Sequence, residues 1–184
     1  MNFKILLSIL LITSSLTYDR NKAVNYALKY AKGVNHDCKQ KRESCSPYPY
    51  YGKDYCNYKK ESFGDCANFV SQCLIEGGLN FKGTSCNVRS CGVITGANSL
   101  GKCLRNHFKW KRECGKDLPP PAYIQKGDVI IYHQDSCESD ITHAMIVTVV
   151  GKNAMVTGHS PHVRNIKYAN NKKKHYYEWI HFEG

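Results

Sequence analysis

The chain has 184 residues with ten cysteines, and 26 Lys and Arg against 15 Asp and Glu give it a formal net charge of +11. This length fits one domain of ordinary size and argues against a second. The sequence contains no internal repeat, no low-complexity tract and, after residue 12, no run apolar enough to cross a membrane.

The first 17 residues have the layout of a secretory signal peptide. Lys4 precedes an apolar run over residues 5–12, and Ser15 and Thr17 occupy the −3 and −1 positions before Tyr18. The run is shorter than the roughly 20 residues of a spanning helix, so cleavage is favoured over an uncleaved anchor. We therefore predict a signal peptide over residues 1–17 and one domain over residues 18–184. The protein is then secreted, or lumenal in the secretory or endolysosomal pathway.

Three helices are predicted next along the chain. Apolar residues recur at helical spacing within residues 18–32, and Asp19 can cap that helix. A second amphipathic helix covers about residues 65–76 and stops at Gly77 and Gly78, and a third covers residues 94–108. Between the first two helices, residues 34–63 form a loop rich in Tyr, Pro and Cys, which we expect disulfides to hold in place.

The second half of the chain changes to strand patterns. Residues 128–133, 142–150 and 154–159 are rich in Val, Ile and other strand-forming residues, and residues 176–182 alternate. The turn around Gly151 joins two of these runs in a hairpin. Helices followed by strands predict an α+β fold with an antiparallel sheet.

Ten cysteines in a secreted chain indicate disulfides. Cys66 is the candidate nucleophile, and Cys73 falls in the apolar stripe of the same helix, where a free thiol can be buried. Exempting both leaves an even eight for four bridges of unknown connectivity: Cys38, Cys45, Cys56, Cys86, Cys91, Cys103, Cys114 and Cys137. No pair has the Cys-x2-Cys spacing of a zinc knuckle, so we predict no metal site.

Cys66 stands on the first turn of the second helix, directly after Asp65. A helix N-terminus favours thiolate over thiol, so this cysteine has the surroundings of an activated nucleophile. Such a nucleophile needs a base. Among the eight histidines, His143 is preferred because it begins a strand beside a turn-rich segment, and His133 is a weaker candidate.

Four sequence blocks in this order resemble the putative amidase domain family, a branch of the papain-like superfamily related to the NlpC and CHAP cell-wall hydrolases. The cysteine block, DCANFVSQCL followed by Gly77 and Gly78, is the most specific of them. The blocks are residues 18–27, 65–74, 127–130 (GDVI) and 142–148 (THAMIVT). The resemblance implies a papain-like, NlpC-like fold, in which the helix that carries the catalytic cysteine packs on an antiparallel sheet.

The resemblance also implies roles for individual residues. Cys66 would be the nucleophile and His143 the general base. A polar side chain on the strand after the histidine would be the third residue, and of Thr157, His159 and Ser160 we prefer His159. The Cys66 N–H would bind the oxyanion, with a second donor that relatives take from a tyrosine about a dozen residues upstream. Three tyrosines remain open for that role: Tyr50, Tyr51 and Tyr55.

The neighbours of Cys66 on its helix have supporting roles in this interpretation. Asp65 is interpreted as the helix cap, while Asn68 and Gln72 are interpreted as structural or supporting rather than substrate-binding.

The sequence thus predicts a secreted cysteine amidase or peptidase that cuts peptides of the bacterial cell wall. It acts as a monomer without a cofactor, and its positive charge suits an anionic wall. No ordered basic and aromatic signature indicates nucleic acid, and the lysines at 172–174 favour a solvated turn. Two alternatives remain open: a non-catalytic basic binding protein, and an effector that acts on a protein substrate.

Overall fold

The computed structural model describes residues 18–31, 65–86, 88, 92–159, 161, 163–169 and 175–183. The predicted signal peptide and the predicted loop over residues 34–63 lie outside these ranges. The helices are α1 (Arg20–Tyr30), α2 (Cys66–Glu76) and α3 (Ala97–His107). The strands are β1 (Trp110–Lys116), β2 (Val129–His133), β3 (Ile141–Val149), β4 (Met155–Gly158), β5 (Val163–Lys167) and β6 (Tyr176–Phe182). No helix of the described chain is both long and apolar enough to span a bilayer.

The strands form one antiparallel sheet in the order β1-β6-β2-β3-β4-β5, and the three helices pack on it. The predicted α+β class is therefore confirmed. The predicted hairpin is β3 and β4, and Asp19 caps α1 by accepting a hydrogen bond from the Lys22 N–H at 3.0 Å. The edge strands β1 and β5 were not predicted, because their charged and largely exposed residues give no strand pattern.

The sheet has two faces with different neighbours, which we call the helix face and the outer face. Buried residues of the helix face pack against α1, α2 and α3, and include Ile131, Ala144, Ile146 and Ile180. Buried residues of the outer face pack against the chain around Ile124 and Tyr168, and include Ile130, Tyr132, Met145, Val147 and Trp179. Neighbouring residues of one strand therefore serve separate cores, as the alternation of a β-strand requires.

Two fully buried carboxylates tie α1 and α3 to the sheet. Asp128 pairs with Arg20 of α1 and lies 2.8 Å from His181 Nδ1. Gly127 beside it has a φ of +85°, and a Cβ there would lie 3.1 Å from the Cα of Arg20. The Gly-Asp block thus brings α1 onto the sheet, since only glycine allows that approach.

Glu178 is the second buried carboxylate, and it lies on the helix face opposite Ile131. It accepts hydrogen bonds from Arg105 of α3 and from Arg112 at 3.0 Å, and its Oε2 lies 2.9 Å from His133 Nε2. This cluster joins α3 to three strands of the sheet.

Two disulfides brace the chain around α3. Cys86–Cys103 ties the preceding segment to the helix, and Cys114–Cys137 ties β1 to the turn between β2 and β3. Cys66 and Cys73 are both free and buried, as the cysteine count predicted. The other four cysteines of the predicted bridges lie outside the described residues: Cys38, Cys45, Cys56 and Cys91.

Candidate active site

Cys66 is the first residue of α2 and is 4% exposed. Its thiol lies near the backbone of Ala144 in β3 and of Ala67, which act to lower its pKa. Asp65 precedes it at the N-cap position but makes no capping hydrogen bond with its side chain. The interpretation of Asp65 as a side-chain cap is therefore wrong, and its carboxylate has other partners.

The surroundings of Cys66 do not by themselves produce a thiolate. Burial raises the pKa of the Cys66 thiol, and the backbone of Ala144 and of Ala67 only partly offsets that rise. The Asp65 carboxylate raises the pKa further, since a second negative charge beside it is unfavourable. The net shift of the Cys66 pKa is upward, so a nucleophile here requires a nearby cation or proton acceptor.

His159 lies just after β4 on the helix face, beside the start of α2. Its ring stacks on Phe69 with 3.9 Å between the ring centroids, and the residue is 3% exposed. Nδ1 lies 2.8 Å from Oδ2 of Asp65, and Nε2 lies 3.1 Å from the carbonyl oxygen of Tyr30. Both ring nitrogens of His159 thus have an oxygen within hydrogen-bond distance, and Nδ1 is paired with the carboxylate next to Cys66.

A chain of side-chain hydrogen bonds holds Asp65 in this position. Asn68 Nδ2 donates to Asp65 Oδ1 at 2.7 Å, and Gln72 Nε2 donates to Asn68 Oδ1 at 3.0 Å. The Tyr26 hydroxyl of α1 donates to Gln72 Oε1 at 2.7 Å. These contacts agree with the supporting roles assigned to Asn68 and Gln72. The spacing of three and four residues from 65 to 68 to 72 places these polar residues on one helix face, which the sequence shows. The sequence does not show that this face leads to His159.

His143 lies on the other face of the sheet. Its ring centroid is 5.5 Å from that of Tyr132, whose side chain belongs to the outer-face core. Burial, with a smaller contribution from His175, lowers the pKa of His143 to about 4. Its buried Nε2 has no hydrogen-bond partner among the described residues.

The register of β3 explains why the two histidines are separated. Ile146 pairs with Thr157, and β4 ends at Gly158. Continuing this antiparallel register by two residues would bring His159 level with Ala144. Opposed residues share a face, so His159 and Ala144 both lie with α2, whereas His143 is one residue away and points outward. The structure thus brings His159 and Asp65 to the start of α2 and does not bring the His143 ring there. Tyr50, Tyr51 and Tyr55 lie outside the described residues.

Within the described ranges, no three His, Cys, Asp or Glu side chains converge in a way that could hold a metal ion. The candidate site combines the Cys66 thiol with a histidine that is hydrogen-bonded to a carboxylate.

Comparison with known proteins gives one match. A family model described as "Putative amidase domain" matches residues 17–181, which is most of the chain. No curated protein and no solved structure matches the chain.

Proposed function

The chain belongs to the putative amidase domain family, and from that premise we propose that it is a secreted, cysteine-dependent hydrolase with Cys66 as its nucleophile. The family description indicates hydrolysis of amide bonds. The observation that carries the finer proposal is a free thiol at the start of α2, beside the buried pair of His159 and Asp65. A cysteine at a helix start, with a histidine–carboxylate pair in the same region, has the arrangement that activated thiol nucleophiles use.

The proposed reaction has two halves. The Cys66 thiolate attacks the amide carbonyl carbon, and the oxyanion is held by the backbone N–H of Cys66. A histidine then donates a proton to the leaving nitrogen, the C–N bond breaks, and a thioester with Cys66 remains. Water attacks the thioester as the histidine accepts a proton, which releases the acid and restores the thiolate.

Two histidines compete for the proton-transfer role. The resemblance implies His143 as the base and His159 as the third residue. The contacts favour His159 itself, because it shares the helix face with Cys66 and Asp65 orients its ring. We therefore propose His159 as the proton-transfer group, with Asp65 as its positioning residue. In this role Nε2 of His159 exchanges the Tyr30 carbonyl for the reacting atoms. The His143 assignment is the rival that mutation distinguishes.

The proposed substrate is a peptide amide of the bacterial cell wall. The net charge of +11 attracts an anionic polymer, and two disulfides suit an oxidising compartment outside the cell. The signal-peptide pattern supports the same location.

The decisive test replaces the thiol. Purified Cys66→Ala is compared with the parent on bacterial peptidoglycan, and the released fragments are identified by mass spectrometry. We expect the rate to fall at least about a thousandfold, because the covalent intermediate cannot form. The matched control is Cys73→Ala, which removes the other free buried thiol, two turns along the same helix.

Each outcome has a distinct meaning. Full activity of Cys66→Ala would contradict the proposed nucleophile. If the parent cuts protein amides but not peptidoglycan, and Cys66→Ala does not, the effector alternative replaces the wall substrate. A parent without fast, pH-dependent alkylation at Cys66 would support the non-catalytic binding protein instead.

A further inference from the structure

A cavity of about 420 Å³ opens on the outer face of the sheet, where His143 projects. Tyr132, Met145 and Ile166 are among the largely apolar residues that line it, and all three contribute to the outer-face core. The volume is sufficient for a small organic molecule, and apolar walls with a few polar groups are typical of ligand sites.

Two residues that line this cavity each have a buried polar atom without a hydrogen-bond partner among the described residues. Nε2 of His143 and Nε2 of His175 are both buried and have no hydrogen-bond partner among the described residues. Leaving a buried hydrogen-bonding atom unpaired is unfavourable, and such atoms mark places where an absent group completes the structure. Two of them in one cavity indicate a shared ligand.

We propose that this cavity binds a small carboxylate with an apolar body. The described residues that line it include Lys167 and the two histidines but no Asp or Glu. Imidazole N–H and ammonium groups donate to carboxylate oxygens, and such charge-assisted bonds are the strong ones. The apolar walls then enclose an aromatic or aliphatic body. A metal ion fits less well, because two imidazoles fall short of the three protein ligands usual for zinc.

This site is separate from the proposed nucleophile. Cys66 lies on the helix face and the cavity on the outer face, so the strands of the sheet stand between them. Binding at the cavity therefore does not require the thiol, and the two proposals fail independently.

Calorimetry with two matched compounds tests the ligand class. The disulfide-bonded protein is titrated with 3-phenylpropanoate and, separately, with the neutral 3-phenylpropanamide. We expect the carboxylate to bind at least about tenfold more tightly. His175→Phe keeps an aromatic ring and removes both ring nitrogens, so it should reduce this preference, while His143 and Lys167 remain as donors. Equal binding of the two compounds, or none, would overturn the proposal.

Variants of β5 then locate the binding. Ile166→Trp fills the cavity and should weaken binding of 3-phenylpropanoate at least about tenfold, whereas Arg164→Trp on the same strand, which does not line the cavity, should not. Cys66→Ala should bind as the parent does. Equal effects of the two tryptophans, loss of binding in Cys66→Ala, or binding that requires added zinc would each contradict the proposal. Circular dichroism confirms that each variant is folded.

Discussion

The histidines on the two faces of the sheet differ in the hydrogen-bond partners of their ring nitrogens. On the helix face, His159 has an acceptor at each ring nitrogen and an aromatic ring beneath it. On the outer face, His143 and His175 each keep a buried Nε2 without a partner in the described chain. A ring fixed on both sides is held in one orientation for one task, while an unpartnered ring is available to a group that arrives from outside. The difference shows that histidines of one sheet can have quite different hydrogen-bonding surroundings.

The largest expected effect is the loss of activity when a histidine is replaced. It would contradict the comparison if it were found for His143 on the outer face. We expect His159→Ala to lower kcat/KM by at least about a hundredfold, because it removes the proton-transfer group, and His143→Ala to lower it by less than about tenfold. Steady-state kinetics on the substrate found with the parent measures both. The reverse order would place the base on β3, as the family resemblance implies.

A second prediction tests how much the buried charge of Glu178 stabilises the packing of α3 on the sheet. Burial raises the pKa of Glu178, but hydrogen bonds from His133 and Arg105 outweigh this and bring it to about 2, below the ordinary 4.5. A carboxyl with a depressed folded pKa stabilises the protein above pH 4.5, and this stabilisation is lost as the pH falls towards 2. Glu178→Gln should therefore lower the free energy of unfolding at pH 7 by about 3 kcal/mol.

Urea unfolding at pH 7 and pH 3 measures this effect, with Glu183→Gln at an exposed position as the control. The difference between Glu178→Gln and the parent should shrink as the pH falls through that window. A constant difference at both pH values would show that the charge of Glu178 is not what joins α3 to the sheet.

The smallest expected effect concerns the chain of side-chain hydrogen bonds that holds Asp65 in position. Gln72→Met removes the hydrogen bond from Gln72 Nε2 to Asn68 Oδ1 and the one from the Tyr26 hydroxyl to Gln72 Oε1. We expect a loss of about 1 kcal/mol in unfolding free energy. If Asp65 positions His159, kcat should fall by less than about tenfold while KM stays constant. Asn25→Met, on the exposed side of α1, should change neither quantity, and a change in KM alone would point to substrate contact instead.

The sequence predicted those parts of the fold that a local pattern determines. The apolar stripe of α2, the Val- and Ile-rich β2 and β3, and the turn at Gly151 each carry their own signal. The edge strands β1 and β5 carry none, because pairing at a sheet edge leaves their charged side chains in solvent.

The face on which each candidate site residue lies depends on the register of strand pairing, and a sequence does not show that register. A β-bulge falls between Tyr132 and His133 where β2 meets β3, and another between Val147 and Val149 where β3 meets β4. Each changes which residues of β3 face the helices, and a shift by one residue exchanges the faces of His143 and Ala144. The nucleophile could be proposed from its helix start, whereas its partner on the sheet could not be derived from spacing alone.

Cys73, the second thiol of α2, can report how often this helix separates from the sheet. Cys73 is fully buried in the helix-face core, and burial holds its pKa well above the ordinary value, so a reagent in solvent reaches it only when α2 leaves the sheet. The rate at which Cys73 is labelled in Cys66→Ala therefore measures how often that part of the molecule opens. The chain thus contains its own labelling site for this local opening, and no cysteine has to be introduced.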